Sequence, residues 1–141
     1  MRSLFLAAAL VAGASAPALA QDAAAGEKVF AQCRACHQIG ETAKNAVGPI
    51  LNGLFGRKSG TVEGYSYSAA NKNSGITWDE AVFREYIKDP KAKIPGTKMV
   101  YAGLKNDKSI DDLIAFLKQY DATGKKTAEI DAAGGKVAVA E

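Results

Sequence analysis

The feature that most constrains this chain is a run of five residues that holds its only histidine and both of its cysteines, Cys33-Arg34-Ala35-Cys36-His37. C-x-x-C-H is the pattern of c-type haem attachment, because two thiols three residues apart can reach the two vinyl groups of one porphyrin. The histidine that follows would then bind the iron. The motif therefore predicts one covalent haem c, held through Cys33 and Cys36, with His37 as an axial ligand.

Three other uses of this motif are less consistent with the rest of the chain. A structural zinc site takes four protein ligands, and with no other Cys or His in the sequence it would need an unusual carboxylate. A thioredoxin-like redox pair lies in a βαβ unit, which the pattern of the chain does not predict. A plain disulfide in an exported protein remains an alternative, but it would leave His37 without a role.

Residues 1–20 are typical of a secretory signal. Arg2 gives a positive start, an apolar run follows, and Ala18-Leu19-Ala20 is a small-x-small end. A membrane anchor is the alternative, but the apolar run is short for a bilayer and is broken by Ser15 and Pro17. We therefore expect cleavage after residue 20, export to the periplasm and a mature chain of 121 residues.

The composition of the mature chain excludes one class of protein and points to a missing part of the core. Its 17 basic and 15 acidic residues give a net charge of +2, too small an excess for a nucleic-acid-binding domain. Leu, Ile, Val and Phe make up 24 of its 121 residues, near the limit at which chains fold unaided. Because the net charge is too low for plain disorder, we expect another component to complete the core.

The apolar spacing predicts an all-α fold with three main helices and one short helix. Asp22 can cap a first helix that runs to about the cysteines. Residues 68–73 form the short helix, which Gly75 closes. The length suits one domain, residues 21–124. Residues 125–141 are a tail, flexible or, alternatively, a short helix packed on the body.

The other two main helices have start and stop signals of their own. Thr77-Trp78-Asp79-Glu80 is predicted to be a capping box, and Pro90 ends the helix that follows it. The last helix is predicted to start at Ser109 and to end at Gly124. Its apolar residues fall at i, i+3, i+4 and i+7 on one stripe: Ile110, Leu113, Ile114 and Leu117.

Two long loops rich in glycine and proline, residues 40–64 and 90–103, separate these helices, and long ordered loops usually have a function. The second loop holds Met99, the only methionine of the mature chain, where no helical face explains it. A thioether is a soft, neutral ligand that favours ferrous iron and raises the reduction potential. Met99 is therefore the predicted sixth ligand, which suits an electron carrier. Core filler is its usual role, and Lys, Tyr, water or an empty position are the other candidates.

Several further short motifs appear in order along the chain: Gly48-Pro49, Gly56-Arg57-Lys58-Ser59-Gly60, Tyr67, Ala70-Asn71-Lys72-Asn73, Gly75-Ile76-Thr77-Trp78 and Ile94-Pro95-Gly96-Thr97-Lys98-Met99. Together with the C-x-x-C-H motif, they make residues 26–120 resemble the class I c-type cytochromes, of the mitochondrial type and its bacterial relatives, the cytochromes c2. The resemblance implies the cytochrome c fold, in which three main helices and a short one surround a covalently attached haem.

The resemblance also implies roles for residues around the two axial ligands. The backbone carbonyl of Pro49 would accept a hydrogen bond from the ring N–H of His37, which fixes the tautomer and strengthens the iron bond. Tyr86 would lie near the sulfur of Met99.

A second group of residues would bind a haem propionate. Arg57, Tyr67 and Trp78 would donate hydrogen bonds to it, and Asn71 and Thr97 would complete the network. Several donors are needed because an unpaired buried carboxylate is costly.

Surface charge points to the kind of partner. From residue 80 to residue 108, seven basic residues stand against four acidic ones. By resemblance, two groups of cations surround the exposed haem edge and would steer an acidic partner into a transient complex. These predicted partner-binding residues are Lys28, Arg34, Lys44, Lys91, Lys98 and Lys105.

The sequence and the resemblance together predict a soluble periplasmic carrier of single electrons, a monomer with no catalytic residues and no nucleic-acid partner. It would take electrons from a quinol–cytochrome bc complex and pass them to a terminal oxidase, a reductase or a photosynthetic reaction centre. The alternative is a haem peroxidase or gas-binding protein with Met99 displaced, but that needs a distal acid–base group and the chain has no second histidine. A non-haem module held by a disulfide is the third hypothesis.

Overall fold

The structure is a computed structural model that describes residues 21–127, 129–130 and 136–137. The described residues form five helices: α1 (Ala23–Phe30), α2 (Ala69–Asn73), α3 (Glu80–Lys88), α4 (Pro90–Lys93) and α5 (Asp107–Lys118). The all-α class is confirmed, although two short helices, α2 and α4, accompany the three main ones instead of one. None of the helices in this part of the chain is long and apolar enough to cross a membrane. The predicted secretory signal lies outside the described residues.

The first two helices begin where the sequence predicts. The Asp22 carboxylate accepts hydrogen bonds from the backbone N–H groups of Ala24 and Ala25 at 2.9 and 3.0 Å, so it caps α1. Ser68 caps α2 by accepting from the N–H of Asn71 at 3.1 Å. Gly75 follows α2 with a φ of +68°, a left-handed conformation that glycine adopts at little cost.

The predicted capping box at the start of α3 is wrong. Asp79 is the N-cap, and its carboxylate accepts from the N–H of Val82 at 2.7 Å. Glu80 is then the first residue of the helix and cannot reach back as the fourth member of a box. Asp is preferred to Thr as an N-cap residue, which explains why the N-cap is Asp79, two residues after the predicted Thr77. Pro90 follows the end of α3 as predicted, and it is also the first residue of α4.

Both predicted ends of the last helix are also wrong. Asn106 caps α5 by accepting from the N–H of Ser109 at 2.8 Å, so the helix starts at Asp107 rather than at Ser109. The helix ends at Lys118. Gly124 belongs to a later turn, in which its N–H donates to the Asp121 carbonyl at 2.9 Å. The apolar stripe is as predicted, because its four residues are all buried: Ile110, Leu113, Ile114 and Leu117.

Helices α1 and α5 cross at close range and form the centre of the described core. A Cβ atom on Gly26 would lie 1.9 Å from the carbonyl oxygen of Asp112, so only glycine permits this approach. Beside the crossing, the rings of Phe30 and Phe116 are 5.1 Å apart and fully buried. The Asp22 N–H donates to the Asp112 carboxylate at 2.9 Å. The crossing therefore fixes the end of α1, from which the C-x-x-C-H motif follows.

The start of the predicted tail is joined to the end of α5. The N–H of Thr127 donates to the Gln119 carbonyl at 2.7 Å, and the N–H of Asp121 donates to the Lys125 carbonyl at 3.0 Å. Further on, strands β1 (Glu129–Ile130) and β2 (Lys136–Val137) pair antiparallel. At these positions the alternative of a short helix is wrong. The domain boundary at residue 124 stays a prediction.

Candidate haem site

The C-x-x-C-H motif forms a tight helical turn directly after α1. The N–H of Cys33 donates to the Phe30 carbonyl at 2.8 Å, and the N–H groups of Cys36 and His37 donate to the Cys33 carbonyl at 3.1 and 2.9 Å. Positions three residues apart in such a turn lie on the same side. Both cysteines have free thiols and are half-buried. The fold therefore presents two thiols and one imidazole from a single rigid turn.

The imidazole of His37 is held by the next loop. Its Nδ1 lies 2.7 Å from the Pro49 carbonyl oxygen. Because a carbonyl only accepts, Nδ1 carries the proton, and Nε2 keeps its lone pair for a metal. Burial lowers the pKa of His37, which favours this neutral form. Gly48 lies directly against the ring, since a Cβ there would come within 2.4 Å of Cε1 of His37.

The environment of Cys33 favours the neutral thiol over the thiolate that binds metals. Burial, with a smaller contribution from Cys36, raises the pKa of the Cys33 thiol to about 11, so it is protonated at neutral pH. Cys33 also packs against the hydrophobic core. Within the described ranges, no group of three or more His, Cys, Asp or Glu side chains is placed to hold a metal ion. Cys33, Cys36 and His37 therefore do not form a zinc-type cluster.

Met99 is half-buried, and its sulfur has a specific partner. The hydroxyl of Tyr86 donates to the Met99 sulfur at 3.1 Å, and Tyr86 is only 7 % exposed. Burial raises the pKa of Tyr86, while hydrogen bonds with the side chains of Thr97 and Asn71 lower it. The structure thus groups Asn71 and Thr97 with Tyr86, around the sulfur. Their predicted part in a propionate network stays a prediction.

Arg57, Tyr67 and Trp78 come together where two extended segments meet. The backbone N–H of Trp78 donates to the Arg57 carbonyl at 2.9 Å. The Arg57 guanidinium donates to the Asn52 carbonyl at 2.8 Å. Burial lowers the pKa of Arg57 and raises that of Tyr67, and the charge of Arg57 opposes the rise at Tyr67. The predicted donor set therefore has one cation and one phenol that interact electrostatically, while the buried indole of Trp78 packs on the Tyr86 ring with the ring centroids 4.9 Å apart.

Ser59 is a member of this region that the sequence reasoning did not assign. Its hydroxyl is buried and has no hydrogen-bond partner among the described residues. Arg57 lies two residues before it in the chain. The Tyr67 hydroxyl accepts from the N–H of Val62 at 3.2 Å, which leaves its own proton to donate. Leaving a buried hydroxyl without a hydrogen-bond partner costs free energy. A carboxylate bound in this region would accept from the Ser59 and Tyr67 hydroxyls, so the residues present fit one.

Two asparagines that the sequence reasoning missed hold the glycine-rich loop in shape. Asn52 is buried and exchanges two hydrogen bonds of 2.9 Å with the backbone of Gly40. Asn45 donates to the Glu63 carbonyl at 2.9 Å and accepts from the N–H of Ile50 at 3.0 Å. These side chains fix the backbone on both sides of Pro49. Their only sequence signal is a polar residue in a glycine-rich loop, where asparagine commonly forms turns.

The six predicted partner-binding cations are all exposed: Lys28, Arg34, Lys44, Lys91, Lys98 and Lys105. Arg34 forms an ion pair with Glu27 at 3.4 Å, and the other five have no ion pair in the part of the chain that is described. The cations that do pair elsewhere lie in or beside helices α3 to α5: Arg84, Lys88, Lys93, Lys108 and Lys118. Five of the six predicted partner-binding cations therefore keep a positive charge that no ion pair neutralises within the described residues.

The donor set as a whole fits a haem c. Two free thiols stand beside an imidazole whose Nε2 is available. A thioether is fixed by a phenol, and Ser59, two residues after the cation Arg57, has a buried hydroxyl without a partner among the described residues. These are the groups that covalent attachment, two neutral axial ligands and a buried propionate require.

Comparisons with known proteins agree with this site. The family model for cytochrome c matches residues 23–121. Cytochrome c2 of Blastochloris viridis is 64 % identical over 126 residues, which cover 89 % of this chain and 99 % of that protein. Cytochrome c-550 of Bradyrhizobium diazoefficiens is 69 % identical over 103 residues, 73 % of this chain and 76 % of the relative. Among solved structures, cytochrome cH from Methylobacterium extorquens superposes with a TM-score of 0.66 at 52 % identity, over 70 % of this chain and 98 % of that one. The chain therefore belongs to the cytochrome c family and is an electron-carrier cytochrome with a covalently bound haem c.

Proposed function

We propose that this cytochrome shuttles single electrons in the periplasm, from a quinol–cytochrome bc complex to a terminal oxidase, a reductase or a photosynthetic reaction centre. The cytochrome c2 and c-550 relatives support a one-electron carrier. The signal-like residues 1–20 support export. We propose no catalytic residues, because the site holds groups that bind and orient a cofactor.

The observation that carries the proposal is that each of the two side chains that would bind the iron, His37 and Met99, is fixed by its own hydrogen bond. The Pro49 carbonyl orients His37 at 2.7 Å, and the Tyr86 hydroxyl orients the sulfur of Met99 at 3.1 Å. When bound, haem c supplies an iron that changes its charge by one electron. Two neutral ligands held in this way would stay in place in both oxidation states. A carrier needs this, whereas an enzyme that binds oxygen or peroxide needs an open position.

The residues around Arg57 would neutralise the charge of a buried propionate. Arg57 supplies a cation, and the hydroxyl protons of Tyr67 and Ser59 remain available as donors. Buried carboxylates are stable only with several such partners. We propose that this group, with Trp78, fixes the cofactor through that propionate.

The unneutralised cations would guide the encounter with a partner. Lys91 and Lys98 flank the segment that holds Met99, and Lys28 and Lys44 flank the C-x-x-C-H motif in sequence. Long-range attraction to an acidic surface raises the association rate and leaves the complex weak. Fast release suits a shuttle, so we propose a small, transient and salt-sensitive interface.

The test is the rate at which a purified cytochrome bc complex reduces this protein, followed by stopped flow at low and high salt. We expect the bimolecular rate to fall steeply as salt rises. Lys91→Glu should slow the reaction at low salt several-fold, whereas Lys125→Glu, the same charge change at an exposed residue of the tail, should have a smaller effect. A rate that is independent of salt, or equal effects of the two variants, would contradict the proposed surface.

A further inference from the structure

Directly after Met99 the chain runs through a short irregular segment with few attachments, residues 100–103. Its first residue, Val100, is 89 % exposed and anchors nothing. Among the described residues, the backbone of this segment makes no hydrogen bond, and its side chains make one. That bond runs from the Tyr101 hydroxyl to the side-chain oxygen of Gln32, at 2.9 Å. Tyr101 also packs against the core, and Gly103 lies directly against the Lys88 carbonyl. The bond to Gln32 is therefore the one hydrogen bond, among the described residues, that adds to this packing.

The acceptor of this bond is itself held in position. The side-chain nitrogen of Gln32 donates to the Val29 carbonyl at 3.1 Å, in the last turn of α1. The side-chain nitrogen and oxygen of Gln32 therefore each form a hydrogen bond, and the oxygen accepts from Tyr101. Gln32 immediately precedes Cys33, while Tyr101 lies two residues after Met99. The bond spans 69 positions of sequence and joins the segment that attaches the haem to the loop of the proposed sixth ligand.

We propose that the Tyr101–Gln32 hydrogen bond fastens the Met99 loop to the attachment segment and limits how often Met99 leaves the iron. Tyr101 and Gln32 are then positioning residues, because they act through Met99. The inference rests on the proposed function, in which Met99 is an axial ligand. The Tyr86 hydroxyl orients the sulfur from inside, and Tyr101 holds the chain that follows it from outside.

The test uses the haem-loaded protein with Tyr101→Phe, Gln32→Ala and the double variant. Phe keeps the aromatic packing of Tyr101 and removes only the hydroxyl. Imidazole added to the ferric protein competes with Met99, so its apparent affinity reports how often the loop opens. Loss of one hydrogen bond should raise that affinity by about 2- to 10-fold. Hydrogen exchange should quicken by a similar factor at the two hydrogen-bonded amides that border the segment, Met99, which donates to the Thr97 hydroxyl, and Leu104, which donates to the Ile87 carbonyl.

A control variant and the double variant make the result specific. Tyr120→Phe removes a phenol hydroxyl near the end of α5, away from the Met99 loop, and should leave both readouts unchanged. The double variant should differ from wild type no more than either single variant, because both singles break the same bond. Unchanged imidazole affinity in Tyr101→Phe, or additive effects in the double variant, would overturn the inference.

Failure of the proposed function and failure of this inference show in different measurements. If the wild-type protein bound carbon monoxide rapidly at neutral pH, Met99 would not be a stable ligand and the proposed function would fail. Hydrogen exchange of the Met99 and Leu104 amides would still show whether Tyr101 fastens the loop. Equal exchange in wild type and Tyr101→Phe would overturn the fastening, whatever the carbon monoxide result.

Discussion

Replacing Gly48 with alanine should displace the imidazole of His37, the predicted iron ligand, although Gly48 itself would not bind the iron. Gly48 lies against the His37 ring, and a Cβ would lie 2.4 Å from Cε1, 2.7 Å from Nδ1 and 2.8 Å from Nε2. Ordinary van der Waals contact begins about 1 Å further out. Three ring atoms are crowded at once, so no rotation of the ring relieves the overlap. Either the imidazole or the backbone of the loop has to move.

A shift of this size removes the hydrogen bond that orients the ring. The Nδ1–Pro49 oxygen distance is 2.7 Å, and lengthening it by about 1 Å takes it beyond hydrogen-bonding range. Leaving the buried N–H of His37 without its partner costs about 1 to 3 kcal/mol, and overpacking costs a further 1 to 3, roughly. We therefore expect Gly48→Ala to lower the free energy of unfolding by about 2 to 6 kcal/mol.

The reduction potential should change in the same variant. A ring that no longer donates to Pro49 is a less basic ligand and stabilises ferric iron less, so the potential should rise. Guanidinium unfolding of the haem-loaded protein and a redox titration measure the two effects. Val47→Ala is the matched control, because Val47 is the neighbouring residue and is 72 % exposed. Wild-type stability and potential in Gly48→Ala would refute this reading of the His37 environment.

Three further predictions concern the other components of the site. Met99→Ala should keep the haem attached but lower the potential and allow carbon monoxide binding, and an unchanged potential in a redox titration would exclude Met99 as a ligand. Tyr86→Phe removes the donor to the Met99 sulfur and should lower the potential by about 20 to 60 mV, the equivalent of one hydrogen bond; an unchanged value would contradict that role. Removing the haem should leave the chain largely unfolded by circular dichroism, and a cooperatively melting apo form would contradict the idea of a haem-centred core.

Local rules predicted those parts of the fold that depend on neighbouring residues. Asp22 and Ser68 cap their helices because their side chains need only the N–H groups two or three residues ahead. The errors at α3 and α5 are of the same kind. In each case a nearby Asp79 or Asn106 competes for the cap, and the sequence pattern alone did not rank these residues above Thr77 and Ser109. At α3 the better capping residue, Asp79, is the one that caps the helix.

The contacts that shape the site are mostly distant in sequence, and the residues alone did not reveal them. Gln32 and Tyr101 are 69 positions apart, and Asn45 reaches 18 positions to Glu63. Neither pair has a periodicity or a motif. The Pro49 contact with His37 was predicted only through resemblance to a family. A close approach such as that of Gly48 to the imidazole depends on how two loops fold over each other.

The C-x-x-C-H motif was informative because its chemistry is local. Two thiols and an imidazole in one turn define the cofactor without knowledge of the remaining fold. The scarcity of large apolar residues in the mature chain then has a physical reason. If a porphyrin occupies the centre, the glycine-rich loops that carry Pro49 and Met99 pack on it rather than on each other. The buried apolar residues of the described part of the chain accordingly come mostly from the main helices, with five in α5, three in α3 and one in α1.

The most direct test of the account is whether both axial positions stay filled when the iron changes its oxidation state. The measurement is the visible absorption spectrum of the purified protein, oxidised and then reduced, with and without carbon monoxide at neutral pH. We expect a sharp c-type band on reduction, full reversibility and no spectral change on addition of carbon monoxide. Rapid carbon monoxide binding by the reduced wild-type protein would show an open position and would contradict an electron carrier ligated by His37 and Met99.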